Sequence, residues 1–142
     1  MNDDELLRQA RFAAVYAHVP YSSFPVGAAV LGHDGNLYRG CNVESASYGM
    51  TMCAERVAIF NAISSGATPI RLAVSCTEGE AGEPGSLMPC GACRQVMADH
   101  MAPDAEVYVD GVGAFTVEEI LPRAFRLPRL QLDAMEEVAT EE

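Results

Sequence analysis

Two short stretches of this chain, Cys53-Ala54-Glu55 and Pro89-Cys90-Gly91-Ala92-Cys93, determine the fold and the chemistry that the sequence predicts. They supply three thiols that can bind a metal as thiolates and one carboxylate beside the first of them. A structural zinc site has four protein ligands, whereas a catalytic site has three and leaves the fourth position for water. The stretches therefore predict a catalytic zinc site in which Cys53, Cys90 and Cys93 bind one Zn²⁺ and Glu55 acts as general acid and base.

Two other interpretations of these cysteines explain less of the pattern. Cys41 or Cys76 could complete a structural zinc site as a fourth ligand, but such a site has no need of a carboxylate next to its first ligand. Both cysteines end predicted apolar strands, and free cysteine is usually buried, so we expect them to pack in the core. A redox dithiol would account for the Cys-x-x-Cys spacing but for neither Pro89 nor the distant Glu55.

The ligands are predicted to lie at the starts of two helices, residues 53–65 and 90–100. Apolar residues recur at helical spacing in the first of these, and Gly66 ends it. Residues two apart point to nearly opposite sides in mid-helix, so Cys53 and Glu55 can share a site only in a first turn. Both helix N-termini would then direct partial positive charge and free N–H groups at the metal.

The rest of the sequence alternates helices with strands. Helices are predicted at 3–18, 117–121 and 132–140, strands at 26–31, 37–41, 70–76, 105–109 and 115–117, and a mobile Gly- and Glu-rich loop at 77–88. Asp34-Gly35 is a strong turn signal that joins the first two strands as a hairpin. This alternation predicts a single domain over residues 1–142, an α/β sandwich of three layers with a mixed five-stranded sheet flanked by helices.

Composition limits the possible partners. Nine basic residues, all Arg, stand against 20 acidic residues, for a formal net charge of -11. Polynucleotide binding depends on neutralising phosphates with Lys and Arg, so we expect no nucleic acid partner and a small neutral substrate instead. The sequence has no apolar run long enough to cross a bilayer, and its acidic start is unlike a secretory signal. Together with an odd number of cysteines, five, this predicts a cytoplasmic protein without a membrane partner.

Four blocks in order along the chain, residues 21–29, 40–44, 53–56 and 121–125, resemble the cytidine deaminase family in its short, single-domain form. The resemblance implies the same sandwich fold, one Zn²⁺ per chain and a reaction of pyrimidine salvage. In that reaction water attacks C4 of cytosine, and Glu55 moves the water proton to N3 and later a proton to the departing ammonia. Cytidine or deoxycytidine would become uridine or deoxyuridine.

The same resemblance assigns further residues to the substrate. Phe24 and Val26 would pack against the pyrimidine, and the backbone N–H of Ala54 would meet the base carbonyl. Asn42 and Glu44 would hydrogen-bond the ribose hydroxyls, a pairing that suits a neutral polyol because one side chain can donate and both can accept. The alternative for Asn42 and Glu44 is a strand end and a turn without contact to substrate.

Other residues are implied to act around the metal or across a subunit boundary. Arg56 would donate hydrogen bonds to the cysteine sulfurs and offset their charge, the alternative being an exposed surface arginine. Phe125, Ala46 and Tyr48 would lie near a neighbouring subunit's ligand, so the resemblance implies a homotetramer with sites shared between subunits. Ser45 departs from the family pattern, in which Asn is frequent after the glutamate.

Two competing functions keep parts of this picture. A deaminase of another cytosine-containing compound would use the same metal chemistry but should lack the pair Asn42 and Glu44. A catalytically silent, zinc-stabilised module that binds ligands or partners would have no need of Glu55. The sequence therefore favours a nucleoside deaminase over both.

Overall fold

The computed structural model describes residues 1–76 and 84–128. Helices and strands follow one another in these ranges as α1 (Asp3–Ala13), β1 (Val26–Gly32), β2 (Leu37–Cys41), α2 (Ala54–Ser64), β3 (Pro69–Cys76), α3 (Gly91–His100), β4 (Glu106–Val109), β5 (Gly113–Thr116) and α4 (Val117–Ile120). Short 3₁₀ turns lie between them at Ala14–Tyr16, Tyr48–Met50 and Pro84–Leu87.

The strands form one mixed sheet in the order β2-β1-β3-β4-β5. β1 pairs antiparallel with β2 and β3, β3 pairs parallel with β4, and β4 pairs antiparallel with β5. The parallel pair is connected through α3, because parallel neighbours need a crossover. β1 and β2 join through the turn predicted at Asp34-Gly35, where Gly35 adopts a φ of 81° that glycine accommodates without strain.

Helices cover both faces of the sheet, which makes three layers. On one face, α1 buries a small cluster of side chains: Leu6, Ala10, Ala29, Ala73 and Tyr108. On the other face, α2, α3 and α4 pack on the strands around a larger core that includes Val30, Ile59, Leu72, Met97, Val107 and Val117. The predicted fold, a three-layer α/β sandwich with a mixed five-stranded sheet, is confirmed.

The first helix is shorter than predicted. α1 ends at Ala13 and a 3₁₀ turn follows over Ala14–Tyr16, so the prediction of a helix to residue 18 is wrong. The backbone of His18 instead pairs with the segment after β2, donating to the Asn42 carbonyl at 3.0 Å and accepting from the Glu44 N–H at 2.9 Å. This pairing joins residues distant in sequence, which helical spacing alone cannot reveal.

The other predicted elements within the described ranges are present with shifts of one or two residues. Cys53 and Cys90 are N-caps and not the first helical residues. Residues 84–87 of the predicted mobile loop form a 3₁₀ turn, while residues 77–83 and the predicted terminal helix at 132–140 lie outside the described residues. Among the helices of the described ranges, none has the length and apolar character needed to span a bilayer.

Candidate active site

The N-termini of α2 and α3 bring the three predicted ligands together. Cys53 Sγ lies 3.8 Å from Cys90 Sγ, Cys90 Sγ lies 3.4 Å from Cys93 Sγ, and all three sulfurs are within 4.8 Å of one another. Three thiolates bound to a tetrahedral zinc ion at about 2.3 Å would be about 3.8 Å apart. The spacing and the soft thiolate chemistry of these donors therefore fit one Zn²⁺.

Both helices begin on a predicted ligand. Cys53 is the N-cap of α2 and Cys90 is the N-cap of α3, each with an extended backbone. Within the described part of the chain, neither side chain makes the capping hydrogen bond that Ser, Thr, Asp or Asn would make at this position. The first N–H groups of both helices thus stay available, and the positive ends of two helix dipoles favour negative charge on the sulfurs.

Arg56 supports that negative charge. Its Nη2 donates to Cys53 Sγ at 3.4 Å, and the side chain is half-buried, unlike a free surface arginine. Hydrogen bonds from the Cys93 thiol, Arg56 and Cys90 lower the pKa of Cys53 to about 5. The hydrogen bond to Cys53 in turn raises the pKa of the Cys93 thiol. The buried Nε of Arg56 has no hydrogen-bond partner among the described residues, so one more donor remains for an anionic site.

Glu55 is the buried carboxyl of the site. Only 4% of the residue is exposed, although it lies in the first turn of α2. Burial raises its pKa to about 7, because a charged carboxylate is poorly solvated there, while hydrogen bonds from its own backbone N–H and from Cys93 act in the opposite direction. A carboxyl group with a pKa near neutrality can take up and release a proton, as a general acid and base must.

The remaining two cysteines lie outside this cluster. Within residues 1–76 and 84–128, Cys53, Cys90 and Cys93 are the only group of three or more His, Cys, Asp or Glu side chains placed to hold one metal ion. Cys76 packs against the core and its thiol donates to the Leu87 carbonyl at 3.8 Å. Burial raises the pKa of Cys76 to about 11 and also raises the pKa of Cys41. Both thiols are thus held in the neutral form, which is the less suitable form for binding a metal.

Asn42 fixes the segment that carries Phe24. Its side-chain Nδ2 donates to the Phe24 carbonyl at 2.9 Å, and its Oδ1 accepts from the Val26 N–H at 2.9 Å. The preceding residue of the segment, Ser23, has a φ of 56°, a left-handed conformation that is uncommon for residues other than glycine. The resemblance predicted that Asn42 contacts ribose. Sequence reasoning did not predict that its side chain hydrogen-bonds to the backbone on both sides of residue 25.

Glu44 fixes the start of the same segment. Its Oε1 accepts from the backbone N–H groups of Tyr21 and Ser22, at 3.1 Å each. Hydrogen bonds from the Ser22 side chain and from these two N–H groups hold the pKa of Glu44 below its usual range, so the carboxylate stays charged at neutral pH. The residues that were predicted to bind ribose thus also shape the loop beside the predicted pyrimidine-binding Phe24.

A cavity of about 320 Å³ lies beside this loop and is lined by Tyr21, Ser22, Glu44, Ser45, Tyr48 and Thr51. Its two tyrosine rings meet edge to face, with centroids 6.4 Å apart. Only Glu44 and Tyr48 were among the predicted site residues. Two signals could have indicated Tyr21 and Ser22: the turn-rich composition around residues 20–23, and their place in the block 21–29 that carries the family resemblance.

A larger cavity, of about 730 Å³, lies at the amino ends of β3 and β4. It is lined by Pro69 and Arg71, at the end of β3 opposite to Cys76. Arg71 there is already engaged by the Asp3 carboxylate and by the Tyr108 hydroxyl. In a sheet with parallel strands, chemistry is usually found at the carboxyl ends, where the smaller cavity and the sulfurs are better candidates.

The residues predicted to reach a neighbouring subunit lie on the surface. Tyr48 is 79% exposed and Phe125 is 72% exposed, and Ala46 is exposed as well. The Phe125 backbone is anchored, since its carbonyl accepts from Gln95 Nε2 at 2.9 Å. Contiguous exposed apolar patches can mark surfaces that meet another chain, whereas apolar side chains exposed singly are common.

Comparisons with known proteins identify the family to which this fold and site belong. A family model described as "Cytidine and deoxycytidylate deaminase zinc-binding region" matches residues 1–109. The chain belongs to this family. It is 41% identical over 129 residues to a cytidine deaminase of Sporosarcina psychrophila, and the alignment covers 88% of this chain and 92% of the relative. It is 43% identical over 130 residues to a cytidine deaminase of Mycobacterium tuberculosis, covering 90% and 93%.

Solved structures agree with this assignment. The crystal structure of a cytidine deaminase from Burkholderia pseudomallei matches with a TM-score of 0.79 and 40% identity, over 88% of this chain and 100% of that one. The structure of the Mycobacterium tuberculosis enzyme matches with a TM-score of 0.77 and 40% identity, over 89% and 99%. The prediction of an enzyme of the cytidine deaminase family is confirmed.

Proposed function

We propose that this protein is a zinc-dependent enzyme that hydrolyses cytidine and deoxycytidine to uridine and deoxyuridine, in pyrimidine salvage. The observation that carries the proposal is the cluster of Cys53, Cys90 and Cys93 sulfurs together with the buried Glu55 carboxyl, which lies in the first turn of the helix that Cys53 caps. Relatives named cytidine deaminase that match nearly the whole chain support the substrate class.

The three cysteines would hold one Zn²⁺ per chain through their Sγ atoms. Bound there, the ion supplies a Lewis acid that lowers the pKa of a water molecule and so provides a nucleophile at neutral pH. Three thiolates and a dication sum to a net charge of about −1 (2 − 3 = −1). Arg56 and the N-termini of α2 and α3 offset this negative charge.

Glu55 moves the protons of the reaction. Its carboxylate accepts one proton from the attacking water and gives it to N3 of the cytosine ring. It then takes the remaining proton from the new C4 hydroxyl and delivers it to the amino group, which leaves C4 as ammonia while the C4 carbonyl forms. The pKa of about 7 suits both tasks, since the acid and base forms are both accessible near neutral pH. Burial also keeps bulk water from competing for these protons.

The base and the ribose are recognised by separate groups. Phe24 and Val26 pack against the pyrimidine, and the N–H of Ala54, at the first position of α2, donates to the base carbonyl. Asn42 and Glu44 bind the ribose hydroxyls with hydrogen-bonding capacity beyond that used in the loop. An amide has two donor hydrogens and a carboxylate about four acceptor positions, so each can serve two partners.

We also infer that the chain forms a single domain over residues 1–142 and assembles as a cytoplasmic homotetramer with shared sites. The exposed Tyr48, Ala46 and Phe125 support contacts to a neighbouring copy. Free cysteine thiols at all five positions suit a reducing compartment. The net charge of -11 opposes binding to polynucleotides, so the partner is a small nucleoside.

The test is to mix zinc-loaded protein with cytidine, deoxycytidine or free cytosine. Loss of the cytosine absorbance band measures the rate of deamination of each. We expect both nucleosides to react and free cytosine to react far more slowly. Binding energy from the ribose, remote from C4, helps to hold the base in reactive geometry, so truncation should lower kcat as well as raise KM. Equal kcat/KM for cytosine and cytidine would contradict the assignment of a nucleoside substrate. If none of the three compounds were converted, the proposed deaminase activity itself would be contradicted.

A pair of variants separates substrate contact from loop support at Glu44. Glu44→Gln keeps an oxygen that can accept from the N–H groups of Tyr21 and Ser22, whereas Glu44→Ala does not. We expect both variants to narrow the difference between cytidine and cytosine, with Glu44→Ala showing the larger effect. A large effect of Glu44→Ala with none of Glu44→Gln would show that Glu44 acts through the loop alone.

A further inference from the structure

Gly40 in β2 lies against the first turn of α2 with no room for a side chain. A Cβ atom at this position would be 2.4 Å from the backbone N of Ala58 and 2.6 Å from the carbonyl O of Ala54. These two atoms belong to one turn of helix backbone, in which the N–H of Ala58 donates to the carbonyl of Ala54. The obstruction is therefore helix backbone, which cannot rotate aside as a flexible side chain would.

The turn that Gly40 contacts is the one that carries the chemistry. Ala54 stands between Cys53 and Glu55, and Arg56 follows in the same turn. Heavy atoms prefer contacts of about 3.5–4.0 Å, so a methyl group at residue 40 would displace this turn by about 1 Å. Zinc–ligand distances tolerate deviations of only about 0.2 Å. The ligands at Cys90 and Cys93 belong to α3 and would not move with it.

We propose that Gly40 is a positioning residue of the metal site, which sets the depth of α2 on the sheet so that Cys53 meets the two sulfurs of α3. The inference rests on the proposed zinc site. The close approach is continued along α2, whose face toward the sheet is made of Ala54, Ala58 and Ala62, all fully buried. Small residues at one-turn spacing allow the helix to lie close to the strands.

The same hairpin offers a matched control on its other face. A Cβ at Gly27 in β1 would be 2.0 Å from the Ala10 carbonyl O and 2.4 Å from the Ala14 backbone N. The obstruction again involves a backbone carbonyl and an N–H four residues later, but at the C-terminal end of α1, where Ala14 is the C-cap and no ligand is predicted. Gly27→Ala thus imposes a backbone clash of the same kind as Gly40→Ala, and a somewhat closer one, on a helix of equal length.

The experiment compares Gly40→Ala, Gly27→Ala and the unaltered chain by zinc affinity, measured in competition with a chromophoric chelator, and by urea unfolding. We expect both variants to lose stability. Only Gly40→Ala should lose zinc affinity, by about 10–100-fold, the range typical of residues that orient metal ligands. The Co²⁺ form should show the same contrast, with an altered thiolate–metal absorption band in Gly40→Ala alone. Equal zinc affinity in the two variants would overturn the inference.

Two further measurements keep the test decisive. If Gly40→Ala does not fold, Ala58→Ser and Ala14→Ser repeat the comparison with a smaller added volume, next to Gly40 and Gly27 respectively. Loss of zinc affinity in Ala58→Ser alone would support the inference, and equal affinity would overturn it. Failure of the unaltered chain to bind zinc would contradict the proposed function itself, whereas tight zinc binding that is unchanged in every variant would contradict only the role of Gly40.

Discussion

The helices of this protein differ in how they begin. α1 and α4 start with a side-chain cap: Asn2 Oδ1 accepts from the Glu5 N–H at 2.9 Å, and Thr116 forms a reciprocal capping box with Glu119. α2 and α3 start with Cys53 and Cys90, whose side chains make no such bond within the described residues. The two capped helices satisfy their own N-termini, whereas the two uncapped ones leave theirs available to the site.

This difference separates helices whose N-terminal caps serve stability from helices whose N-termini lie at the proposed metal site. Asn2 is a residue that stabilises a helix N-terminus by about 0.5–2 kcal/mol, and cysteine is not among the favoured N-caps. Local rules of helix formation tend to be violated at functional sites, where the cost is offset elsewhere in the fold. α2 and α3 are held in the fold by burial all the same, since Ile59 in α2 and Met97 in α3 are fully buried.

The largest loss of zinc and of turnover should come from placing a conventional N-cap residue at the starts of α2 and α3. Cys53→Ser and Cys90→Ser place a favoured N-cap residue at each helix start, and we expect both variants to remain folded yet lose zinc and turnover. Cys41→Ala and Cys76→Ala should keep one zinc per chain. Metal analysis of the purified variants decides the matter, and a requirement for Cys41 or Cys76 would indicate a four-cysteine structural site instead.

A smaller but still large effect is expected when the carboxylate in the first turn of α2 is replaced, with the carboxylate of Glu5 in the first turn of α1 as the comparison. Glu55→Gln in α2 should keep zinc and fold but lower kcat by about 10²–10⁴-fold, because general acid–base catalysis is removed. Glu5→Gln in α1 is the matched control and should leave kcat unchanged. Steady-state rates with cytidine, normalised to bound zinc, measure both, and near-normal turnover in Glu55→Gln would refute the assigned proton transfer.

The cap of α1 should matter for stability alone. Asn2→Ala removes the acceptor for the Glu5 N–H and should lower the free energy of unfolding by about 0.5–2 kcal/mol. Asn2→Ser keeps a capping oxygen and should retain most of this stabilisation. Zinc content and kcat/KM should be unaffected. Urea unfolding together with the cytidine assay checks the prediction, and a change in zinc affinity would show that the two classes of helix are not separable.

The smallest effect concerns the tie between α1 and the end of β4. Arg11 donates two hydrogen bonds to Asp110, at 2.7 Å each, and holds the pKa of Asp110 below its usual range. A carboxyl whose pKa is lower in the folded state stabilises the fold above its unfolded pKa, and this stabilisation is lost as the pH falls through the folded value.

Asp110→Asn should therefore cost about 0.2–1 kcal/mol at neutral pH, a small value because Arg11 is largely exposed. The difference in unfolding free energy between the unaltered chain and the variant should shrink as the pH falls below about 4. Urea unfolding across this pH range measures it. A difference that grows on acidification would have the wrong sign for this ion pair.

Local sequence signals were sufficient for the presence and approximate bounds of most elements in the described ranges, though not for the end of α1, and for the cysteine cluster. The spacing of the cysteines and their places at two helix starts predicted that three sulfurs would converge, because helix N-termini can direct side chains to one point. The Asp34-Gly35 turn fixed the hairpin, since its backbone conformation favours those residue types. Both features depend on residues close together in the chain or on one recurring motif.

The features that sequence did not predict depend on contacts between distant segments. The end of α1 is set by pairing of the His18 backbone with residues after β2, and Asn42 bonds to the backbone on both sides of residue 25. The closeness of Gly40 to α2 is likewise a property of how a strand and a helix pack. No periodicity or turn signal encodes such contacts, because the same residues could occur in a strand end or a turn without them.

Removal and return of zinc, assayed with cytidine, tests the central claim most directly. The account predicts that protein treated with a chelator under reducing conditions loses deamination of cytidine, and that about one equivalent of Zn²⁺ per chain restores it, because a catalytic site of this kind binds a single ion through three protein ligands. Full turnover of cytidine by protein shown to contain no metal would contradict the account.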